Sequence, residues 1–134
     1  MNTLIRNEKQ IKQVIDFTGL QNGKIHPSDI DAVFEFDNEI LILIEVKYKD
    51  SEIPTGQKLL LERLCDSWHT NKCIVLFVEH NYSNDNENIP LDKCFVKKIY
   101  YKEEWKERNK EGLLDFLNKL GEFWDCKKLN FKTI

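Results

Sequence analysis

An almost unbroken apolar run, Ile40-Leu41-Ile42-Leu43-Ile44, ends in Glu45-Val46-Lys47, and Asp31 lies fourteen residues before Glu45. The run reads as a strand buried on both faces. Burying unpaired charge is costly, so a carboxylate and an amine at the end of such a strand need a reason. Glu45 and Lys47 are two apart, so on a strand they point to the same side, about 6–7 Å from each other. A hairpin brings Asp31 beside them. Two crowded carboxylates repel, and a cation or a shifted pKa relieves them. Two carboxylates, a lysine and a divalent metal can together cut a phosphodiester bond.

The flanking sequence supplies elements to hold these groups. Leu4, Ile11, Val14, Ile15 and Phe17 have helical spacing and predict a helix over 3–18, stopped at Gly19. Asn22-Gly23 is a turn signal, and Lys24 to His26 reads as a short edge strand before the break at Pro27-Ser28. From Ile30 to Phe36 the chain alternates: Ile30, Ala32, Phe34 and Phe36 on one side, Asp29, Asp31, Val33 and Glu35 on the other. A tight turn at Asp37-Asn38 joins this strand to the next, Ile40 to Lys47. After a polar loop, Pro54-Thr55-Gly56 opens a helix with Thr55 as its N-cap and Asn71 as its stop. Leu60, Leu61, Leu64, Cys65 and Trp68 share one face of that helix, and Gln57 continues it. Cys73 to Val78 is a further buried strand, expected to pair in parallel because a helix precedes it. A polar loop over 80–90, a strand from Phe95 to Tyr101 and a closing helix within Gly112 to Phe123 complete the order. This pattern predicts an α/β fold with a mixed central sheet flanked by helices.

At 134 residues, 41% apolar and 32% charged, the chain is expected to be one soluble domain, 1–134, large enough for a real core. No apolar stretch reaches the length of a membrane span, and Met1 to Arg6 lacks a signal-peptide layout. The spacing of Cys65, Cys73, Cys94 and Cys126 makes neither a zinc signature nor a disulfide framework, as expected of reduced cysteines inside a cell. The net charge of −3 argues against broad nonspecific nucleic-acid binding but leaves room for a local basic surface. His26, His69 and His80 have no metal-ligand spacing and read as surface or loop residues.

Pro27-Ser28-Asp29-Ile30-Asp31-Ala32-Val33, the run Ile40 to Ile44, and Glu45-Val46-Lys47 together resemble the PD-(D/E)XK nuclease superfamily, with the small Holliday-junction-resolvase-like or phage-type branch the most similar. The resemblance implies an αβββαβ restriction-endonuclease-like core over about residues 5–80, with residues 92–124 as an accessory strand and helix. It implies a metal-dependent nuclease that hydrolyses phosphodiester bonds, more readily in DNA. Asp31 and Glu45, with the backbone carbonyl of Val46, would bind Mg²⁺ or Mn²⁺, a hard cation suited to oxygen ligands. Lys47 would orient the attacking water or meet the charge on the phosphate, and Gln57 resembles the glutamine that supports the site in several branches. Glu8 resembles an acidic residue that some branches add from the first helix, and Asp29 is a second candidate for the first acidic role. The sequence departs from the family pattern in that Ser28 follows Pro27 where the family has an acidic residue.

Lys24, Lys49 and Lys58 flank these positions and would seat a nucleic-acid backbone. Lys97-Lys98 and Lys102, with Tyr100-Tyr101 and Trp105, could form a second basic, aromatic surface, although a solvated strand edge is the simpler reading. So small a chain implies recognition of DNA structure, a homodimer or a larger protein partner, and a cytoplasmic setting in a bacterial or phage-infected cell. The alternative is a non-catalytic nucleic-acid-binding or inhibitor protein on the same fold, such as a phage anti-defence factor.

Overall fold

The computed structural model describes residues 14–84 and 86–132. The chain is α/β. Five strands, β1 (Ala32–Phe36), β2 (Ile40–Tyr48), β3 (Cys73–His80), β4 (Phe95–Tyr101) and β5 (Glu104–Gly112), form one sheet in sequential order. Helix α1 (Thr55–Asp66) joins β2 to β3, and α2 (Leu113–Phe123) follows β5. The sheet is mixed: β2 and β3 are parallel, and every other neighbouring pair is antiparallel. The helical crossover is what permits the parallel pair.

The two sheet faces bury separate clusters. Ile42, Ile44, Leu76 and Val78 pack on one face against Leu113, Phe116, Leu117 and Leu120 of α2. Leu43, Cys73, Val75 and Tyr100 pack on the other against Leu61 and Cys65 of α1. Burial on both faces explains the continuous apolar runs of β2 and β3. Beyond α2 the chain folds back, and Leu129 is buried in the α2-side core.

The β1–β2 turn has the expected chemistry. Asp37 and Asn38 both have positive φ, 54° and 58°, and Glu39 N–H donates to the Phe36 carbonyl at 2.9 Å. Mirror-image turns of this kind match the twist of paired strands and favour Asn and Asp. The register sets Phe36 opposite Ile40 and Ala32 opposite Ile44. Glu39 is therefore the last residue of the turn, and its carbonyl accepts from Trp68 Nε1 at 2.8 Å and Thr70 Oγ1 at 2.5 Å.

Several expectations need correction. Of the helix expected over 3–18, residues 14–18 are irregular chain and turn, and the remainder lies outside the described residues. The Asp16 carboxylate accepts from the Thr18 N–H at 2.9 Å, a local bond that competes with helix formation. Lys24–His26 is not a strand. Gly23, at φ 62°, closes a tight loop with one isolated bridge between Asn22 and Ile25. Ile30 leaves the face shared by Ala32, Phe34 and Phe36 and packs on the α1 side, because pairing begins only at Ala32. Pro54 rather than Thr55 is the N-cap of α1, without a side-chain bond, and the helix ends at Asp66, not Asn71. Leu64 is on the exposed rim of α1.

The largest omission from the sequence reading is β5. Its residues, Glu104-Trp105-Lys106-Glu107-Arg108-Asn109-Lys110-Glu111-Gly112, are nearly all polar and mostly exposed, as an edge strand allows. The turn before it, Lys102-Glu103, has φ of 51° and 64° at residues that seldom adopt such values. No Asn-Gly or Asp-Gly signal marks it. The segment expected as accessory thus supplies β4, β5 and α2, which extend the sheet and cover one of its faces. Among the described residues, no helix is long and apolar enough to cross a membrane.

Candidate active site

Continuing the β1–β2 register one step past Ala32 and Ile44 sets Asp31 directly opposite Glu45, on the face that carries α1. The Val46 N–H donates to Asp31 Oδ2 at 2.7 Å, so the first acidic side chain is fixed against the end of β2. Glu45 is buried, with 3% of its surface exposed, although it is charged in type and lies within a strand. Gln57, in the first turn of α1, donates its side-chain amide to Glu45 Oε2 at 2.6 Å and to the Asp29 carbonyl at 3.1 Å. Helix α1 presents Gln57 here because it stands one turn before Leu61, which the core buries. Lys47 Nζ lies 3.7 Å from Glu45 Oε1 and is partly exposed.

Burial pushes the Glu45 carboxyl up to about 8, and the adjacent Asp31 carboxylate reinforces the shift. Lys47 opposes it, and Asp29 adds a smaller repulsion. The raised value favours the protonated carboxyl near neutral pH, with Asp31 beside it and Gln57 donating to Glu45 Oε2. The cluster brings two carboxyl groups, an ammonium and an amide together near the carboxyl end of a parallel strand pair. Such a set can hold a hard cation and present a lysine beside it.

Asp31, Glu45, Lys47 and Gln57 are all brought together. Asp29 joins through its backbone carbonyl and, more weakly, through its charge. Lys49 is exposed just past β2, where its N–H donates to the His80 carbonyl at 2.7 Å. Lys58 lines a neighbouring cavity with Phe77, Lys97, Lys98 and Trp105. Lys24 sits in the exposed Asn22–Ile25 loop and makes no ion pair with the site among the described residues. Glu8 lies outside the described residues. Among the described residues, no three His, Cys, Asp or Glu side chains converge on one point.

Glu79 was not anticipated. It is buried, and the parallel register sets it beside Lys47 on the same face. Its carboxylate meets Lys110 Nζ at 3.2 Å and accepts from the Asp50 N–H at 3.5 Å. It thereby ties the loop after β2 to β3 and β5. The signal was present: the apolar run of β3 also closes on a carboxylate, Glu79-His80, just as β2 closes on Glu45.

No family model matches the chain, and no curated protein or solved structure matches it significantly.

Proposed function

We propose that this chain is a metal-dependent nuclease of the PD-(D/E)XK type, hydrolysing phosphodiester bonds, with DNA as the favoured substrate. One observation carries the reading: the Val46 N–H holds Asp31 at the end of the β1–β2 hairpin beside Glu45, with Lys47 two residues on and Gln57 bonded to Glu45. The hairpin β1–β2, the crossover α1 and the parallel strand β3 also have the order and pairing of the ββαβ part of a restriction-endonuclease-like core.

The donor set fits a hard divalent cation. Asp31 Oδ1 and Glu45 Oε1 are the carboxyl oxygens left outside the Val46 and Gln57 hydrogen bonds. Two carboxylates suit Mg²⁺ or Mn²⁺, which keep several waters, and the Val46 carbonyl is a further oxygen. Held by Asp31 and Glu45, such a cation would lower the pKa of a water and offset charge on the phosphate. Lys47 stands 3.7 Å from Glu45, where it would orient an attacking water or meet charge developing on the phosphoryl oxygens. Gln57 holds Glu45 in place by fixing Oε2.

The test is a cleavage assay on linear duplex, single-stranded, flap and four-way-junction DNA, with Mg²⁺, Mn²⁺ or EDTA. Wild-type protein should cut at least one substrate in metal and none in EDTA. Asp31→Ala, Glu45→Ala and Lys47→Ala should each abolish cutting while the protein still folds. Cleavage at the wild-type rate by any of these variants would overturn the assignment.

A second reading has one observation in its favour. A protonated Glu45 is satisfied by Asp31 and Gln57 without any cation. On that reading the chain is a non-catalytic nucleic-acid-binding or inhibitor protein on the same fold. Metal-independent binding of a partner, with no cleavage in any metal, would favour it.

A further inference from the structure

We propose that the lysine-lined cavity beside Glu45 seats a backbone phosphate of a nucleic-acid strand one or two nucleotides from the scissile bond, a placement that rests on the nuclease reading. The cavity has a volume of about 180 Å³, and Lys58, Lys97 and Lys98 stand in its wall with one carboxylate, Glu52.

A β-bulge builds this concentration of charge. In the β3–β4 pair, Val78 faces Val96 and Phe77 faces Lys98, which leaves Lys97 as an extra residue. Consecutive residues of a regular strand point to opposite faces. The bulge re-aims one of them, so Lys97 and Lys98 both reach the same cavity. Lys97 Nζ lies over the Phe77 ring at 5.6 Å and Lys58 Nζ over the Trp105 ring at 5.4 Å. Neither lysine makes an ion pair among the described residues. Lys98 pairs at 3.7 Å with Glu107, which is 75% exposed. So exposed a pair is weak and readily exchanged for a phosphate. The Trp105 ring is held by its Nε1 bond to Glu62 at 2.6 Å and by Tyr100 at 5.2 Å, giving the cavity a fixed aromatic wall.

The cavity and the carboxylate site share one row across the sheet, in which Glu45 faces Phe77 and Phe77 faces Lys98. Two strand spacings make that row about 10 Å long. A nucleic-acid strand rises about 3.4 Å per nucleotide along its axis and also winds around it, so neighbouring phosphates stand farther apart than the rise, and a strand whose scissile phosphate lies at Glu45 brings a phosphate one or two nucleotides away to the lysines.

The experiment measures binding of short labelled single-stranded and duplex DNA by fluorescence anisotropy over a range of salt, with Ca²⁺ in place of Mg²⁺. The Lys58→Ala/Lys97→Ala double variant should bind roughly tenfold more weakly than wild type, and its single-strand salt slope should fall by about 1.4, the loss of two phosphate contacts. Lys127→Ala, an exposed lysine outside the cavity, should leave both unchanged. If the alanine variant melts lower than wild type, Lys58→Gln/Lys97→Gln replaces it, with the same expectation. Unchanged affinity and slope in the folded double variant, or no binding by wild type, overturns the proposal. A wild type that cuts DNA beside a variant that binds normally would sink this subsite and leave the nuclease reading. A wild type that cuts nothing but loses binding in the variant would sink hydrolysis and leave the phosphate subsite.

Discussion

Gln57 Nε2 donates to Glu45 Oε2 at 2.6 Å, across twelve residues of sequence, and so fastens the first turn of α1 to the end of β2. The same amide reaches the Asp29 carbonyl at 3.1 Å, drawing in the segment that leads to Asp31. One side chain thus sets the spacing of both acidic residues. Gln57→Leu should cost about 1–3 kcal/mol of stability, because it leaves a buried carboxyl short of a donor. It should also weaken divalent-metal binding by about 10–100-fold, as loss of an outer-shell partner does. Chemical denaturation and calorimetric metal titration check the two effects separately. Unchanged metal affinity would show that Gln57 only braces the helix.

The raised pKa of Glu45 makes stability depend on pH in a defined direction. A free glutamate titrates near 4.5, whereas Glu45 in the folded protein titrates near 8. Between these values the folded state binds more protons than the unfolded one. The contribution of Glu45 is therefore complete below about pH 4.5 and is lost as pH rises through about 8. Cation-free wild-type protein should lose stability relative to Glu45→Gln across that window. A cation that displaces the proton should stabilise wild type more above pH 8 than at pH 6. Thermal melts of both proteins across pH, with and without Mg²⁺, measure this; parallel curves for the two would contradict it.

The hairpin turn is also held by a clamp from outside the hairpin. Trp68 Nε1 and Thr70 Oγ1 both donate to the Glu39 carbonyl, beside the Asp37-Asn38 turn. Trp68→Phe and Thr70→Val should each cost about 1 kcal/mol, the usual value of one hydrogen bond. Because both bonds converge on one acceptor, the double variant should depart from additivity. Urea denaturation of the two singles and the double gives the coupling directly.

Gly121 is where the returning tail crosses α2. A Cβ there would stand 2.7 Å from Leu129 Cβ and 3.0 Å from the Cys126 carbonyl, and would overlap the Leu129 carbonyl. Gly121→Ala should destabilise by about 1–3 kcal/mol or more through overpacking, despite the better helix propensity of alanine. A neutral result in denaturation would show that the tail yields at little cost.

Residues 30–48 carry their own hairpin in local signals. Alternation in β1, a two-sided apolar run in β2 and a turn pair tolerant of positive φ are all short-range features, and the fourteen-residue spacing of Asp31 and Glu45 follows from them. The bounds of β4 and α2 were legible for the same reason. Three things were not. Strand β5 exists because β4 offers it a row of hydrogen-bond partners, and an edge strand with a Lys-Glu turn needs no apolar pattern of its own. Lys97 and Lys98 share a cavity only because β3 and β4 pair with one residue in excess, a mismatch that belongs to two strands at once. Glu79 lies beside Lys47 only because the crossover through α1 makes β2 and β3 parallel in that register. Periodicity along the chain reports which face a residue takes, while pairing between distant strands decides what stands next to it.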